Sequence, residues 1–211
     1  MRDAPAHGIS SAHHPHVTLR DLNQRQHGFT LIELLVVIAI IAVLMGLAFP
    51  AFQSVQNSAK RTQARNDVTQ LVTAVTAFYT EYGRYPLPPG APSSDDFTYG
   101  AGAGSPNRML IQILMGKDAA ANPRQIAFLT PTIAKQDGGY GVWLDNSGEP
   151  TSEFHHPWSR PGNTAPYQIR IDADYDGQVT DPEDSQRMLP LGVVAWSPGK
   201  NANAPKIYSH K

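Results

Sequence analysis

The chain has 211 residues, a formal net charge of −1 and no cysteine. The nearly balanced charge argues against a nucleic-acid-binding protein, which would carry a concentrated basic face, and we expect no nucleic-acid partner. Without cysteine the chain forms no disulfide and has no thiol chemistry. The 18 prolines and 17 glycines lie mostly beyond residue 84, which predicts a turn-rich C-terminal part with short strands.

Residues 1–27 have few apolar side chains and combine proline and serine with four histidines. Isolated histidines in such a segment rarely form a metal site, because a metal centre needs ligands held at a fixed spacing. We therefore expect an unstructured segment without a metal. The histidines concerned are His7, His13, His14 and His16.

The next segment is apolar over a membrane length. Phe29 to Phe49 covers 21 residues, of which only Thr30 and Glu33 are polar, and such a helix spans a bilayer core of about 30 Å. A buried core helix is disfavoured because Leu34 to Phe49 has no polar face. A secretory signal is disfavoured because no good small-x-small cleavage site follows. A plain signal anchor leaves Glu33 unexplained, since a carboxylate in lipid is costly.

The junction RQHGFTLIELL closely resembles the signal of type IV prepilins and pseudopilins. The resemblance implies that residues 1–28 form a leader, which prepilin peptidase removes between Gly28 and Phe29 before the new amine of Phe29 is methylated. It also implies that residues 29–50 form the transmembrane and assembly helix. Glu33 then becomes the fifth residue of the mature chain.

This processing suggests a partner for the acid in the apolar segment. Cleavage leaves a positive amine on Phe29, and in a filament Glu33 of one subunit neutralises the Phe29 amine of its neighbour. Removing one member of a buried ion pair costs about 3–5 kcal/mol, so the pair also fixes the register between subunits. The alternative is a carboxylate that extends to the lipid headgroups without any role in assembly.

The helix is predicted to continue beyond Pro50. Apolar residues recur at spacings of three and four through residues 51–84, which predicts an amphipathic continuation. Gly83 followed by Arg-Tyr-Pro predicts its end at Tyr82. The expected apolar stripe comprises Phe52, Val55, Ala59, Val68, Leu71, Val72, Val75, Phe78, Tyr79 and Tyr82, and the expected polar side comprises Gln56, Lys60, Gln63, Asp67 and Gln70.

The segment FYTEYGRYP, which closes the helix, resembles the tyrosine-rich turn of secretion pseudopilins. Aromatic residues at helical spacing usually belong to a core. We therefore expect Tyr79, Tyr82 and Tyr85 to be core residues rather than a binding surface.

Residues 85–211 are predicted to form a globular domain. Residues 86–108 have the composition of a loop, and RMLIQILMG predicts a short helix that ends at Gly116 and buries Met109, Leu110, Ile113 and Leu114. Major pseudopilins usually have less chain between the long helix and the sheet, so this insert is a departure from the family.

The segment YQIRIDADYDGQVTDPED predicts a strand followed by a calcium loop. Tyr167, Ile169 and Ile171 alternate with polar residues, as in a half-buried strand. The acids after the strand fit the pattern D-x-[DN]-x-[DN]-G-x5-E, which brings oxygen ligands to one point for a cation that takes six to eight of them. The matching residues are Asp172, Asp174, Asp176, Gly177 and Glu183.

Two further calcium ligands are predicted from the same loop. Gln178 offers its backbone carbonyl, and Asp181 is the alternative to Glu183, because Pro182 interrupts any helix that would begin there. The resemblance supports this site, since major pseudopilins of type II secretion carry a calcium loop near the C-terminus. The competing interpretation is a solvated acidic surface without a metal.

Two segments complete the sheet. HHPWSRPGNTAPY resembles the D-P-W-G-x-P-Y segment of the family, with His156 in place of the aspartate, and Pro157-Trp158 is expected to pack on the sheet. A zinc site at His155-His156 is disfavoured, because adjacent histidines point apart and no third ligand is evident. LGVVAWSPGKN predicts the final strand, with Val194 and Trp196 facing the core.

The chain shows no nucleophile elbow, zinc-protease motif or phosphate loop, and we expect no enzyme. The expected fold is α+β and pilin-like, with a long N-terminal helix packed on a small antiparallel sheet. The expected protein is a pseudopilin of a type II secretion system, anchored once in the inner membrane with its C-terminal domain in the periplasm. Its expected partners are further copies in a helical filament, prepilin peptidase, and other pseudopilins and secretion components. The alternatives are a type IV pilin for adhesion, motility or DNA uptake, and a signal-anchored calcium-binding domain that never polymerises.

Overall fold

The computed structural model describes residues 28–201 and 203–211, apart from the side chains of Pro50 and Ala51, so the predictions for residues 1–27 lie outside it. The described part is α+β, as predicted. It falls into two units: residues 28–48 belong to the first, and Phe49–Lys211 is the second. In chain order the elements are α1 (Leu31–Tyr82), β1 (Phe97–Tyr99), α2 (Asn107–Leu114), β2 (Gln168–Ile171), β3 (Val179–Thr180), β4 (Met188–Leu189), β5 (Val193–Ser197) and β6 (Ile207–Tyr208).

The part of α1 in the first unit is apolar on every side. Each side chain from residue 28 to residue 49 is exposed. Within the described residues, α1 is the one helix that is long and apolar enough to cross a membrane. The backbone of α1 continues past Pro50, as the sequence predicts.

The later turns of α1 supply one wall of the core in the second unit. Val68, Leu71, Val75 and Phe78 are fully buried at spacings of three and four residues. The helix ends at the predicted point, where Gly83 adopts a φ of +65° and its N–H donates to the carbonyl of Tyr79 at 2.8 Å. A glycine suits this position because it adopts the left-handed conformation without a steric cost.

Several assignments along α1 are wrong. Phe52 and Val55 are 61% and 66% exposed and Ala59 is exposed as well, so the buried stripe begins only at Ala64. Asp67, expected on the polar side, is only 3% exposed and belongs to the interior.

The second unit has two antiparallel sheets, a four-stranded one in the order β1-β2-β5-β6 and a two-stranded one of β3 and β4. Ile169 of β2 pairs with Tyr99 of β1 on one side and with Ala195 of β5 on the other. Ile169 and Ala195 share a buried cluster with Leu71 of α1, which confirms the predicted packing of the long helix on a small antiparallel sheet. The expectation that residues 86–108 form only a loop is wrong, because β1 lies within them.

Strand β5 is buried on both faces, which corrects the prediction for its orientation. Val193 and Ala195 face the main core, whereas Val194 and Trp196 belong to a second buried cluster. The other members of the second cluster are Val179, Leu189 and Tyr208. Nor is β5 the final strand, since β6 pairs with it through Trp196 and Tyr208.

The insert contributes the predicted short helix, α2, to the main core. Gly116 follows its end with a φ of +74°, and a Cβ there would lie 2.6 Å from the carbonyl oxygen of Gln125, so only glycine fits. The side chain of Asn107, which is fully buried, donates to the carbonyls of Phe154 and Tyr167 and accepts from the N–H of Phe154. These bonds fix α2 to the start of β2.

Candidate functional site

The first turn of α1 is closed by its only acid. One oxygen of Glu33 accepts hydrogen bonds from the backbone N–H and the hydroxyl of Thr30, at 2.8 and 2.7 Å, and the N–H of Glu33 donates to the Thr30 hydroxyl at 3.2 Å. This is a capping box, which satisfies N–H groups that have no partner inside the helix. The sequence signal for it is Thr-Leu-Ile-Glu ahead of an apolar run, and it was missed.

The predicted cleavage point lies just before this turn. Gly28 and Phe29 precede α1, and both are exposed. The side chain of Glu33 is exposed as well, although it already holds two hydrogen bonds from Thr30. The Glu33 carboxylate therefore has a local structural role within one chain, and a role between chains has to be compatible with it.

The acidic turn follows β2 directly. Ligand oxygens of Asp172, Asp174 and Asp176 all lie within 4.8 Å of one another. The buried Asp172 holds the turn together, since its two oxygens accept from the N–H groups of Asp176 and Gly177 at 3.1 and 2.9 Å. Gly177 adopts a φ of +82°, which allows the sharp bend. The turn thus brings the first three predicted ligands close together.

The electrostatics of this turn are unfavourable without a positive charge. Burial raises the pKa of Asp172, as does the side chain of Asp174, and the N–H of Gly177 opposes both. Asp174 and Asp176 are exposed carboxylates placed beside it. Repulsion between carboxylates this close destabilises the turn, and a bound cation would relieve it.

The turn also fits calcium by distance. Calcium–oxygen distances of 2.3–2.6 Å allow two oxygens on one ion to lie at most about 5 Å apart, and the three aspartates satisfy this limit at 4.8 Å. Gln178 lies in the same turn, and its N–H donates to Asp176 at 2.8 Å. Carboxylates together with a backbone carbonyl are the donors that calcium prefers.

The structure does not bring the last two predicted ligands to this cluster. Asp181 is buried, lies 3.7 Å from Arg187 and accepts the N–H of Glu183 at 2.9 Å, a hydrogen bond that lowers the pKa of Asp181. Glu183 forms an ion pair with Lys211. Both acids thus have other partners, and the strand β3 separates them from the turn.

An aromatic contact links the acidic turn to the end of α1, and sequence reasoning missed it. Tyr175, in the turn, accepts the backbone N–H of Tyr85 on its hydroxyl at 3.1 Å. The ring of Tyr85 lies 5.4 Å from that of Tyr175 and stacks on Tyr79 at 4.5 Å. Tyr79 is 38% exposed, so its assignment to the core is wrong, while Tyr82 and Tyr85 are partly buried against the core.

The two histidines before β2 are buried separately from the acidic turn. The Nδ1 atom of His156 accepts the N–H of Trp158 at 3.1 Å, and burial lowers the pKa of His156 to about 4. Trp158 packs against the main core, as expected, and donates to Asn57 of α1 at 3.3 Å. Within the described residues, the one cluster with metal-ligand geometry is the aspartate trio.

Comparison with known proteins locates a family motif at the N-terminus. Residues 23–49 match the family model described as the prokaryotic N-terminal methylation motif. In comparisons with curated proteins and with solved structures, nothing matches the chain. The matched motif is a structural one of the pilin type, not one of an enzyme family, and it implies processing by prepilin peptidase and assembly into pilus-like polymers. Together with an α+β architecture consistent with a pilin-like fold, it indicates a type IV pilin-like or pseudopilin-like protein.

Proposed function

We propose that this chain is a structural subunit of a type II secretion pseudopilus. The observation that carries the proposal is the methylation motif over residues 23–49, which overlaps the membrane-length first part of α1, where the side chains up to Phe49 are exposed. Prepilin peptidase cuts between Gly28 and Phe29, and Phe29 is methylated. The mature chain then waits in the inner membrane, with residues 85–211 in the periplasm, until it polymerises through α1.

Polymerisation brings the apolar surfaces of neighbouring α1 helices together. Inside a bilayer these surfaces lose nothing by leaving lipid for a neighbouring helix, so packing and polar contacts decide the association. Glu33 supplies the polar contact, because its carboxylate meets the Phe29 amine of the next subunit in a site that excludes water. The capping hydrogen bonds from Thr30 hold that carboxylate at the start of the helix.

Three substitutions separate the charge of Glu33 from its capping role. Glu33→Gln keeps an oxygen that accepts from Thr30 but removes the charge, Glu33→Ala removes both, and Thr30→Val removes the hydroxyl and keeps the charge. We expect filament yield and cargo secretion to fall by more than about tenfold for both Glu33 variants, because an unpaired buried amine costs about 3–5 kcal/mol. Thr30→Val should change them little, since a lost cap costs about 1 kcal/mol in a long helix.

The same cells provide the control for processing. Sequencing of the mature N-terminus should find methylated Phe29 in the wild type and in Thr30→Val. An intact leader in the wild type would instead support a signal-anchored protein that never polymerises. Normal filaments from Glu33→Gln would contradict the ion pair and assign Glu33 to capping alone.

We propose further that the acidic turn binds calcium. Asp172, Asp174 and Asp176 supply carboxylate oxygens, and Gln178 supplies its carbonyl. Bound calcium neutralises the carboxylates and fixes the turn. In pilin-like domains a disulfide often holds this region, but this chain has no cysteine to form one. What supports this proposal is the converged trio and the fit of its spacing to one ion.

Calorimetry on the chelator-treated full chain in detergent tests the calcium proposal. We expect a dissociation constant of about 10⁻⁴–10⁻³ M, which is usual for extracellular modules. Asp174→Asn should weaken binding by about tenfold or more, because affinity follows the number of charged ligands. Asp174 is the informative position because, unlike Asp172 and Asp176, it accepts no backbone N–H within the turn.

The matched control is Asp184→Asn, which removes an exposed acid of the same segment outside the trio. It should leave the affinity within about twofold of the wild type, as usual for an exposed charge at a distance. Absence of binding at millimolar calcium would remove the calcium proposal without touching the assembly proposal.

The calcium turn and the missing cysteines favour a secretion pseudopilus over an adhesive type IV pilus. A deletion strain decides between them. We expect loss of protein secretion with surface pili and DNA uptake intact, and the reverse pattern would assign the chain to a type IV pilus.

A further inference from the structure

The two ends of the acidic turn meet at one carboxylate outside it, that of Asp96. Phe97 of β1 pairs with Ile171 of β2, so Asp96, the residue before β1, lies where β2 ends and the turn begins. The turn then leads into β3, where the N–H and the hydroxyl of Thr180 both donate to one oxygen of Asp96, at 2.7 and 2.8 Å. A single side chain therefore ties the end of the turn to its beginning.

Arg170 of β2 binds the same residue from its other side. Its Nη1 atom donates to the carbonyl of Thr180 at 2.8 Å, and its Nε atom donates to the hydroxyl of Thr98 in β1 at 3.0 Å. The guanidinium also lies over the ring of Trp196 in β5, 5.7 Å from the ring centroid. Both backbone groups of Thr180 are thus bound by charged side chains, which form stronger hydrogen bonds than neutral ones.

This anchoring acts close to the proposed calcium site. Thr180 follows Gln178, whose carbonyl is a proposed ligand, by two residues, and an extended chain advances only about 3.3 Å per residue. Holding Thr180 therefore restricts where that carbonyl can lie. Calcium affinity depends on the rigidity of a site as well as on the number of its charged ligands. We propose that Asp96 and Arg170 are positioning residues that preorganise the acidic turn for calcium, an inference that rests on the calcium binding in the proposed function.

The proposal gives a role to the segment that links α1 to β1. This segment reaches the turn at two points, since the N–H of Tyr85 donates to the hydroxyl of Tyr175 and Asp96 accepts from Thr180. The second contact joins residues that are 84 positions apart. Neither Asp96 nor Arg170 belongs to the aspartate trio, so both act on calcium through Thr180 rather than as ligands.

Calorimetry with calcium on the chelator-treated full chain in detergent tests the proposal. Asp96→Ala and Arg170→Met should each weaken calcium binding by about tenfold, as is usual when a partner outside the ligand set is lost. The two variants change the charge in opposite directions. Loss of the positive charge of Arg170 would by itself strengthen the binding of a cation, so weaker binding by both variants reports the hold on Thr180 and not the charge.

Two substitutions at Thr180 separate positioning from a general structural role. Valine has the shape of threonine without the hydroxyl, so Thr180→Val loses one of the two hydrogen bonds to Asp96 and should weaken calcium binding by about threefold. Thr180→Ser keeps the hydroxyl and should bind within about twofold of the wild type. Thermal unfolding of every variant without calcium checks that the fold is intact.

The matched control is Asp95→Asn, which removes the same charge from the neighbouring exposed residue and should stay within about twofold of the wild type. Unchanged affinity in Asp96→Ala and Arg170→Met would overturn the inference, as would tighter binding by Arg170→Met or an equal loss in Asp95→Asn. Each of these outcomes leaves the calcium proposal standing. Absence of calcium binding by the wild type would refute the calcium proposal itself and this inference with it.

Discussion

The carboxylate of Asp67 is held in the interior by three side-chain donors. Tyr167 donates to it at 2.5 Å, Tyr140 at 3.0 Å and Gln63 at 3.0 Å. Burial raises the pKa of Asp67, and these hydrogen bonds oppose that rise without cancelling it. A single residue thus joins α1, the segment around Tyr140 and the residue before β2, which explains how a charged group is accommodated there.

The raised pKa of Asp67 gives a prediction about stability in acid. A carboxyl group whose pKa is higher in the folded than in the unfolded chain stabilises the fold more as pH falls from its folded pKa toward its unfolded value. Asp67→Asn removes this dependence because the amide does not titrate. We therefore expect the stability of the wild type, relative to Asp67→Asn, to increase as the pH is lowered from 7 to 4.

Urea unfolding of both proteins at several pH values measures this difference. Asp145 and Asp181 have lowered pKa values, so they destabilise the fold as the pH falls. Because both proteins contain them, their contribution cancels in the difference in stability between wild type and Asp67→Asn. Asp137→Asn, at an exposed acid, is the control and should follow the wild type. A wild-type advantage that shrinks on acidification would mean that the hydrogen bonds, not burial, dominate at Asp67.

At the level of elements, the helices were predictable and the strands only in part. The end of α1 depends on Gly83 and the following proline, which are local signals. Strand β1 has three residues in a Ser-, Asp- and Gly-rich segment, and its extended conformation comes from pairing with β2, which no local pattern reports. Strand β5 misled the alternation argument because both of its faces are covered.

In the candidate sites too, contacts between residues close in sequence were predictable and contacts between distant residues were not. The trio of aspartates was predictable because its ligands are two residues apart. Asp181 and Glu183 were misplaced because their partners, Arg187 and Lys211, are recruited by folding. The burial of Asp67 depends on a tyrosine 100 residues away, so a helical wheel cannot detect it.

The contact between the acidic turn and the end of α1 predicts that calcium binding is transmitted to that end. The backbone N–H of Tyr85 donates to the hydroxyl of Tyr175, which lies between two proposed ligands. Fixing the turn with calcium should therefore slow hydrogen exchange at Tyr85 in the wild type. In Tyr175→Phe the ring stack remains but the acceptor is lost, so calcium should slow exchange in residues 172–178 and much less at Tyr85.

Hydrogen exchange with and without calcium, followed by mass spectrometry, measures both segments in one experiment. Tyr79→Phe serves as the control, since it changes a partly exposed tyrosine of the same stack and leaves the Tyr85 hydrogen bond intact. Equal protection of Tyr85 in the wild type and Tyr175→Phe would show that the turn is not coupled through this hydroxyl.

Across the whole molecule, apolar side chains have two different surroundings. Large exposed apolar residues are concentrated from Phe29 to Val55, whereas every member of the main core lies at or beyond Ala64. This division explains how one helix has two functions: its first part is apolar on all sides and suits lipid, and its later part packs one face against a protein core. The membrane part was evident from composition, but where burial in the core begins was not.

This division predicts that a chain beginning at Asn57 folds without lipid. The truncation removes the exposed apolar run and keeps the whole main core, the Asp67 hydrogen bonds and the acceptor of Trp158 on Asn57. We expect a monomer in detergent-free buffer, by light scattering after size-exclusion chromatography, with cooperative thermal unfolding and the calcium affinity of the full chain.

A second truncation, beginning at Thr69, shows whether the lower turns of α1 are needed. It removes Ala64, Asp67 and Val68, so the buried hydroxyl of Tyr167 loses its acceptor inside the protein. An unpaired buried polar group costs about 1–3 kcal/mol and a core cavity costs more, so this chain should be much less stable than the one from Asn57. Equal stability of the two chains would show that the turns from Asn57 to Val68 are not needed for the fold. Aggregation of the chain from Asn57 would show instead that the fold depends on contacts N-terminal to Asn57.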